Sequence, residues 1–213
     1  DCLLSRGLGD VYKRQALDVL ESAERPLVLV GKGMAWAHAE DEVRAFIDRT
    51  QLPFVRSPMG KGVVPDDHPL AASAARTLAL QQADVVFLMG ARFNWIFHFG
   101  LPPRFSPDVK VIQLDISPEE IGHNKPSEVA LVGDGKAIMS QMNKALEGRQ
   151  WFYPKDTPWR TALGDKISAN VETIKSQVND DTAPAGYYRA LRDVAAWMPE
   201  NAILSAEGAG TMD

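Results

Sequence analysis

The segment Arg25-Pro-Leu-Val-Leu-Val-Gly-Lys-Gly-Met-Ala-Trp-Ala37 carries the strongest indication of fold class in this sequence. Its apolar run, Pro26 to Val30, leads directly into Gly31-Lys32-Gly33, and a helical pattern follows from about Ala39. A short apolar run that ends in glycines and precedes a helix is typical of a buried parallel strand that opens a nucleotide site. Glycine permits a close backbone approach, helix N–H groups face an anion, and Lys32 adds a positive charge.

The same segment is also consistent with a plain turn between a strand and a helix. Gly31-Lys32-Gly33-Met34 lacks the third glycine of the dinucleotide fingerprint. It also lacks the Gly-Lys-Ser/Thr ending of a P-loop. The motif therefore leaves both interpretations open, and the surrounding sequence has to distinguish them.

The composition excludes several classes of function. The chain has 213 residues, of which 45% are hydrophobic and 24% are charged, as in ordinary globular proteins. A net charge of −5 provides no basic footprint for nucleic acid, and no apolar run is long enough to span a membrane. The single Cys2 excludes a disulfide framework and indicates a reducing compartment. No targeting signal is visible, so we expect a cytoplasmic or peroxisomal protein.

Alternating short apolar runs and helical patterns follow the opening strand. Strands are predicted over Leu27–Val30, Leu52–Arg56, Asp84–Met89, Lys110–Leu114 and Glu128–Val132. Helices are predicted over Ala16–Ala23, Glu40–Thr50, Ala71–Gln82 and Gly135–Glu147. This order predicts an α/β fold, a Rossmann-like parallel sheet of five or six strands with helices on both faces.

Charged residues and glycines follow four of the predicted strands. They are Gly31-Lys32-Gly33, Gly90-Ala91-Arg92, Asp115-Ile116 and Gly133-Asp134. Because the carboxyl ends of parallel strands meet at one edge of the sheet, these residues should converge there. Two cations, two carboxylates and several glycines favour a ligand with phosphates and a ribose. Between them, the breaker-rich stretch from Ser57 to Pro69 predicts a loop that is functional or disordered.

The sequence changes character after Gly148. Residues 149–184 predict a linker that contains a helix over Trp159–Val178, and residues 185–213 predict the truncated start of a second α/β unit. That unit comprises a helix over Tyr187–Met198 and a strand over Ala202–Ser205. At the other end, residues 1–15 resemble a translated adaptor, and we expect a non-native tail followed by a domain over residues 16–148. The chain is therefore expected to be a fragment.

Several motifs in order carry a resemblance to a known family. They are Gly31-Lys-Gly-Met-Ala-Trp-Ala-His38, Pro58-Met-Gly-Lys-Gly-Val-Val-Pro65, Ala74-Ala-Arg76, Ala83-Asp-Val-Val86, Gly90-Ala-Arg-Phe-Asn-Trp95, His98-Phe-Gly-Leu-Pro-Pro-Arg104, Gln113-Leu-Asp-Ile116 and Ser205-Ala-Glu-Gly-Ala-Gly-Thr-Met-Asp213. Together they resemble the central domain of thiamine-diphosphate enzymes, of the 2-hydroxyacyl-CoA lyase and oxalyl-CoA decarboxylase type. The segment from His98 to Pro103 fits the lyase better.

The resemblance implies a parent enzyme that uses thiamine diphosphate and Mg²⁺ to cleave a 2-hydroxyacyl-CoA into formyl-CoA and an aldehyde. The parent is expected to be a homo-oligomer, a dimer or a tetramer. In the family, the activating glutamate and the metal motif lie in other domains, so this chain is expected to hold no catalytic or metal residue and to be inactive alone. Alternatives are an oxalyl-CoA decarboxylase, an acetolactate-synthase-like domain that binds FAD, and a free-standing nucleotide-binding module.

The resemblance also implies three sets of site residues. ADP or another adenine nucleotide would contact Gly31, Lys32, Gly33, Arg92, Asp115, Ile116 and Asp134. Arg76 would contact the phosphates of CoA, and Glu207, Gly208, Ala209 and Gly210 would border the thiamine-diphosphate pocket. Simpler roles remain open, namely an ion pair between Arg92 and Asp115 and a solvated cation at Arg76. Gly133-Asp134-Gly135 imitates a Mg²⁺ motif, but the asparagine that completes the motif is missing at its spacing.

Overall fold

A five-stranded sheet, all of it parallel, lies at the centre of the structure, which is a computed structural model. The structure describes residues 2–203, and for residues 2–10 it describes the backbone only. The strands are β1 (Pro26–Val30), β2 (Phe54–Arg56), β3 (Val85–Met89), β4 (Lys110–Asp115) and β5 (Val129–Val132). Their order across the sheet is β2-β1-β3-β4-β5. The predicted Rossmann-like fold is therefore confirmed, with five strands in the described part of the chain.

Helices surround the sheet and bury its strands. They are α1 (Cys2–Glu21), α2 (Lys32–Trp36), α3 (Glu40–Thr50), α4 (Arg76–Gln82) and α5 (Gly135–Glu147). Two more helices follow along the chain, α6 (Pro158–Val178) and α7 (Tyr187–Trp197). Every residue of β1 and β3 is buried, as expected for strands covered on both faces. Phe46 of α3 packs edge-on against Phe87 of β3, with ring centroids 5.9 Å apart.

The region around β2 differs from the predicted elements for identifiable reasons. Pro53 has no N–H group, so the strand begins at Phe54 rather than at Leu52. The predicted helix over Ala71–Gln82 begins later, as a 3₁₀ turn at Ser73–Ala75 followed by α4. The first residues of the predicted helix are not helical, because this part of the chain is bonded to β2. The Phe54 N–H donates to the Leu70 oxygen, and the Ala72 N–H donates to the Phe54 oxygen. Residues 70–72 therefore form hydrogen bonds along the edge of β2, and the helical turns begin only after them.

The loop between β2 and α4 is held in place by charged side chains. Asp66 accepts from Arg56 at 2.8 Å and from Lys61 at 3.2 Å. Arg44 of α3 donates to the backbone oxygens of Gly62 and Val63, at 3.0 and 2.8 Å. The breaker-rich sequence therefore produces an irregular loop that is fixed at several points, and it brings its first residues to the carboxyl edge of the sheet.

The first helix is longer than predicted. The sequence predicts a helix only over Ala16–Ala23, whereas α1 begins at Cys2. No proline interrupts the chain before Pro26, so the helix can continue towards the N-terminus. Lys13 is 8% exposed and donates to the side-chain oxygen of Gln141 on α5. At least the last part of residues 1–15 therefore packs with the domain.

The chain divides into two compact units after Gly164, beyond the boundary expected at Gly148. The first unit extends further because Tyr153, Trp159 and Leu163 are buried at 5%, 3% and 3% exposure. The Trp159 indole N–H donates to the Pro26 oxygen at 3.0 Å, which fixes α6's first turn to the start of β1. The sequence after α5 is thus partly an integral layer of the first unit.

The second unit begins at Asp165 and contains α7, none of whose residues is buried. Its apolar side chains Leu191 and Val194 are exposed, and Trp197 is 89% exposed. The predicted strand over Ala202–Ser205 and the predicted residues Glu207, Gly208, Ala209 and Gly210 lie partly or wholly outside the described residues. Within residues 2–203, no helix combines the length and apolar character needed to cross a bilayer.

Candidate functional site: a cleft where the strand order reverses

The candidate site is a cleft at the carboxyl edge of the sheet. From β1 the chain moves to β2 on one side, and from β3 it moves to β4 on the other, so the order reverses between β1 and β3. Ligands of open α/β sheets bind at such a reversal. The cleft has a volume of about 380 Å³. The site residues that line it are Lys32, Gly33, Arg92, Asp115, Ile116 and Asp134.

The turn after β1, which contains Gly31 and Gly33, is hydrogen-bonded to the end of β3 and the turn that follows it. The N–H of Gly31 donates to Met89 at 2.8 Å, and the N–H of Gly33 donates to Gly90 at 2.9 Å. A Cβ at Gly31 would lie 2.3 Å from the Gly90 oxygen, and one at Gly33 would lie 2.8 Å from the Gly90 Cα. Glycine is therefore required because two backbones touch. Both N–H groups are engaged within the protein, and the contact of Gly31 and Gly33 with a nucleotide stays a prediction.

Lys32 is the cation that remains available at this turn. It is exposed, it lines the cleft, and it forms no ion pair within the described residues. An ammonium group on a flexible stem can reach an anion over several ångströms. The sequence prediction of a positive charge at this position is consistent with the geometry, although its contact with a phosphate stays a prediction.

Asp115 is a nearly buried carboxylate at the end of β4, with 7% exposure. Its Oδ1 accepts from the Ser117 N–H at 2.9 Å, and its backbone oxygen accepts from the Gly133 N–H at 3.0 Å. No residue between 2 and 203 donates to its Oδ2. Because Asp115 lines the cleft, Oδ2 remains available as an acceptor for a ligand that binds there.

Asp134 has a structural task as well as a place in the cleft. It is the N-cap of α5, and its Oδ1 accepts from the Ala137 N–H at 2.9 Å. A carboxylate at this position satisfies an otherwise free N–H and interacts favourably with the positive end of the helix. Among the described residues there is no group of His, Cys, Asp and Glu side chains that could hold a metal ion.

Arg92 is already paired, but not with the residue expected. Its Nε lies 3.3 Å from Oε1 of Glu120, so the open alternative of an ion pair with Asp115 is wrong. The guanidinium side chain is 53% exposed. An exposed pair of this kind contributes little stability, and a phosphate could compete with Glu120 for the guanidinium.

Sequence reasoning missed the apolar rim of the cleft. Trp36, Met59 and Ile116 line it and are 77%, 61% and 71% exposed, yet only Ile116 is among the predicted site residues. Large apolar side chains exposed around a concave site commonly contact the flat part of a ligand. The available signal was their position, since each lies within a few residues of a strand's carboxyl end.

Arg76 does not line the cleft. Its Nη2 donates to the Ile96 carbonyl, and its guanidinium lies 5.3 Å from the centre of the Phe97 ring. It is half-buried, so the alternative of a freely solvated cation is wrong, whereas its contact with CoA stays a prediction. Because Ile96 and Phe97 both line the cleft, Arg76 holds one wall in place from behind.

The same wall contains an unusual backbone. Residues His98 and Phe99 of the 3₁₀ segment Trp95–Gly100 have φ of 48° and 57°, the left-handed region that ordinary residues rarely adopt. Asn94 caps the segment by accepting from the Ile96 N–H at 3.0 Å. Burial, and then the positive charges of Arg76 and Arg104, lower the pKa of His98 below its ordinary value of 6.5.

We expect this lowered pKa to make the domain less stable in mild acid. Since the unfolded chain binds the His98 proton more readily, the stability is complete above pH 6.5 and falls as the pH decreases towards the folded pKa. Urea denaturation at pH 7.5 and pH 5.5 measures this change. The variant His98→Asn, whose side chain tolerates a positive φ, should lose less stability over that interval. An identical loss in both proteins would contradict the assignment.

The comparison with family models identifies one match. The model described as "Thiamine pyrophosphate enzyme, central domain" matches residues 14–142, which include every strand of the sheet and the whole cleft. The match begins at Arg14, inside the segment that the sequence alone assigned to a non-native tail.

Curated relatives agree with this match. Human 2-hydroxyacyl-CoA lyase 1 is 44% identical over 198 residues, which cover 93% of this chain and 34% of the human protein. Rice 2-hydroxyacyl-CoA lyase is 43% identical over 204 residues, covering 93% of this chain and 35% of the rice protein. Oxalyl-CoA decarboxylase from Escherichia coli is 40% identical over 200 residues, which cover 93% of this chain and 35% of the Escherichia coli protein. The chain thus spans about a third of the length of these relatives.

Proposed function

The chain belongs to the thiamine pyrophosphate enzyme family through its central domain, and we propose that it is part of a thiamine-diphosphate-dependent carbon–carbon lyase. The proposed substrate is a 2-hydroxyacyl-CoA, which the complete enzyme cleaves to formyl-CoA and an aldehyde. Support comes from the 2-hydroxyacyl-CoA lyases at 44% and 43% identity. The second candidate is an oxalyl-CoA decarboxylase, favoured by the Escherichia coli relative at 40% identity.

In this proposal the chain supplies a central domain over residues 16–148, a linker over 149–184 whose first part packs on that domain through Trp159, and the start of a third domain over 185–213. Thiamine diphosphate, with Mg²⁺, supplies the electron sink for C–C cleavage when bound. The described residues contain no metal-binding cluster, and Asp134 is engaged at α5. Glu207–Gly210 remain the proposed border of the diphosphate pocket. Because the family's activating glutamate and metal motif are expected in other domains, we propose that the 213 residues alone do not catalyse C–C cleavage and that the parent enzyme is a homo-oligomer.

We further propose that the cleft binds an adenine nucleotide such as ADP. One observation carries this proposal. Asp115 is 7% exposed, lines the cleft and leaves Oδ2 without a donor in residues 2–203. In dinucleotide folds a carboxylate from the sheet accepts hydrogen bonds from ribose hydroxyls. A ribose hydroxyl is therefore a fitting donor to Asp115 Oδ2, which has no donor among the described residues.

The charges in the cleft indicate the orientation of the nucleotide. Lys32 follows β1 and Asp115 ends β4, with β3 lying between the two strands. Neighbouring strands are about 4.8 Å apart, so the two positions are separated by roughly 10 Å across the sheet. In the proposed pose the phosphates lie near Lys32 and the ribose near Asp115. The exposed side chains of Trp36, Met59 and Ile116 provide apolar surface for the base.

Titration calorimetry of the 213-residue protein with ADP tests the proposed site. Asp115→Ala and Lys32→Ala should each weaken ADP binding by about tenfold, because each removes a charge-assisted hydrogen bond. Asp108→Ala and Lys110→Ala are matched controls, since both residues are exposed and lie at the opposite end of β4. They should leave the affinity unchanged.

Two results would contradict this proposal in different ways. Equal ADP affinity in the wild type and in Asp115→Ala would remove Asp115 from the site. A yellow protein with flavin absorbance that does not bind ADP would instead favour an acetolactate-synthase-like FAD domain. An assay of the complete parent enzyme with 2-hydroxyacyl-CoA and oxalyl-CoA distinguishes the lyase from the decarboxylase.

A further inference from the structure

We infer that Gln113 positions the β4–β5 loop, residues 116–128, and thereby determines how readily Arg92 can bind an anion in the cleft. Gln113 belongs to β4 but does not line the cleft, so it acts on the cleft through the loop. This role rests on the proposed nucleotide site and concerns how that site is controlled. Gln113 is therefore a positioning residue of the cleft.

Gln113 is a buried polar side chain within a strand of mostly apolar residues. Its exposure is 1%, and a buried amide has to find its hydrogen bonds within the protein. Its Nε2 donates to the Glu120 backbone oxygen at 2.7 Å. Its Oε1 accepts from the Gly122 N–H at 3.0 Å and from the Ser127 hydroxyl at 2.8 Å. One side chain therefore holds the β4–β5 loop both near its middle and near its end.

The β4–β5 loop depends on these bonds because burial of apolar side chains does not hold it. None of the residues 116–128 is buried, and their one regular element is the 3₁₀ turn Pro118–Glu120. A crossover between parallel strands usually contains an α-helix that packs on the sheet. Ser117, Asn124 and Lys125 contribute one hydrogen bond each to residues outside the loop. The three bonds of the buried amide are therefore the main point at which the loop is fixed.

The β4–β5 loop carries Glu120, the carboxylate that pairs with Arg92. Gln113 binds the backbone oxygen of Glu120 itself, so the starting point of this side chain is fixed, and its Oε1 lies 3.3 Å from the Arg92 Nε. A carboxylate that is already in place loses little conformational entropy when it pairs. Because the Arg92 side chain is 53% exposed, an anion can still displace Glu120. The bond from Gln113 therefore sets how strongly Glu120 competes with that anion.

Replacing Gln113 with methionine, which has a similar length but no amide, tests this role in the isotope-labelled 213-residue protein. Nuclear magnetic resonance measures the exchange rate of the Gly122 N–H and the response of the Arg92 Nε–H to pyrophosphate. Pyrophosphate has neither ribose nor base, so its affinity reports on the cations alone. In Gln113→Met the Gly122 N–H should exchange at least about tenfold faster. The affinity for pyrophosphate should increase by about threefold, because Glu120 competes less well.

A double variant shows whether Gln113 acts through Glu120. Glu120→Gln should increase the pyrophosphate affinity by about threefold, because it removes the competing charge directly. Combining it with Gln113→Met should give no further increase, since two residues that act through one interaction are not additive. Ile112→Ala is the matched control, because Ile112 is fully buried in the same strand and points to the opposite face of the sheet. It should lower the stability and leave the pyrophosphate affinity unchanged.

The outcomes separate this role from the proposed site. An unchanged exchange rate at Gly122 in Gln113→Met, or additive increases in the double variant, would overturn the inference while the nucleotide site stands. If Gln113→Met does not fold, Gln113→Glu retains both acceptor bonds, loses the donor to Glu120 when ionised, and should increase the affinity likewise. An Arg92 signal that does not respond to pyrophosphate in the wild type would remove Arg92 from the proposed site, and the inference would fail with it.

Discussion

Replacing Gly31 with alanine should destabilise the first unit by about 3 kcal/mol or more and abolish ligand binding in the cleft. The new Cβ would lie 2.3 Å from the Gly90 oxygen and 2.5 Å from the Ala91 Cβ. Both neighbours belong to the turn after β3, so neither can swing away as the end of a flexible side chain would. The two turns would have to separate, which breaks the hydrogen bond between Gly31 and Met89.

The matched control is Gly164→Ala, because a Cβ at Gly164 meets nothing within 4 Å. Gly164 lies inside α6, where alanine favours the helix by up to about 1 kcal/mol. Thermal denaturation followed by circular dichroism measures both changes. If Gly31→Ala lies within about 0.5 kcal/mol of the wild type, the contact between the two turns is not essential to the fold.

Replacing Trp159 with alanine should destabilise the first unit by about 3–5 kcal/mol. The side chain is 3% exposed, and its indole N–H donates to the Pro26 oxygen at 3.0 Å. Truncation therefore leaves a cavity and removes the partner of a buried carbonyl. Trp159→Phe retains most of the volume but not the donor, and a smaller loss of about 1–3 kcal/mol is expected.

Trp197→Ala is the control for this prediction, since the Trp197 side chain is 89% exposed. The change should alter the stability by less than about 0.5 kcal/mol. Urea denaturation of the three variants provides the comparison. A loss at Trp159 no larger than the loss at Trp197 would show that the first unit ends near Gly148, as the sequence alone predicts.

The sheet could be predicted from the sequence because its signals are local. Each strand is a short apolar run of β-favouring residues, and helices alternate with strands, so the parallel arrangement follows. The helix Gly135–Glu147 was predicted with its observed bounds because Asp134 is a strong N-cap and Gly148 follows its end. The predicted bounds of an element were wrong where contacts with residues distant in sequence override the local preference of the chain. The helix predicted from Ala71 begins further along the chain because the backbones of Leu70 and Ala72 form hydrogen bonds with Phe54.

The site was predicted less completely than the fold. The positions of Lys32, Arg92, Asp115 and Asp134 at one edge followed from strand ends alone. What each side chain does there depends on residues distant in sequence, such as Glu120 beside Arg92. The burial of Trp159 against Pro26 likewise depends on a contact across more than a hundred residues, which periodicity cannot predict.

The contact between Gly31 and Gly90 has a consequence for how the cleft responds to a ligand. The turns after β1 and β3 share hydrogen bonds and leave no room for a Cβ between them, so they form one preorganised floor. A ligand that binds on this floor loses little free energy to ordering of the protein. Adjustment to ligands of different shape therefore falls to the rim, where the exposed Trp36 and Met59 side chains retain their rotameric freedom.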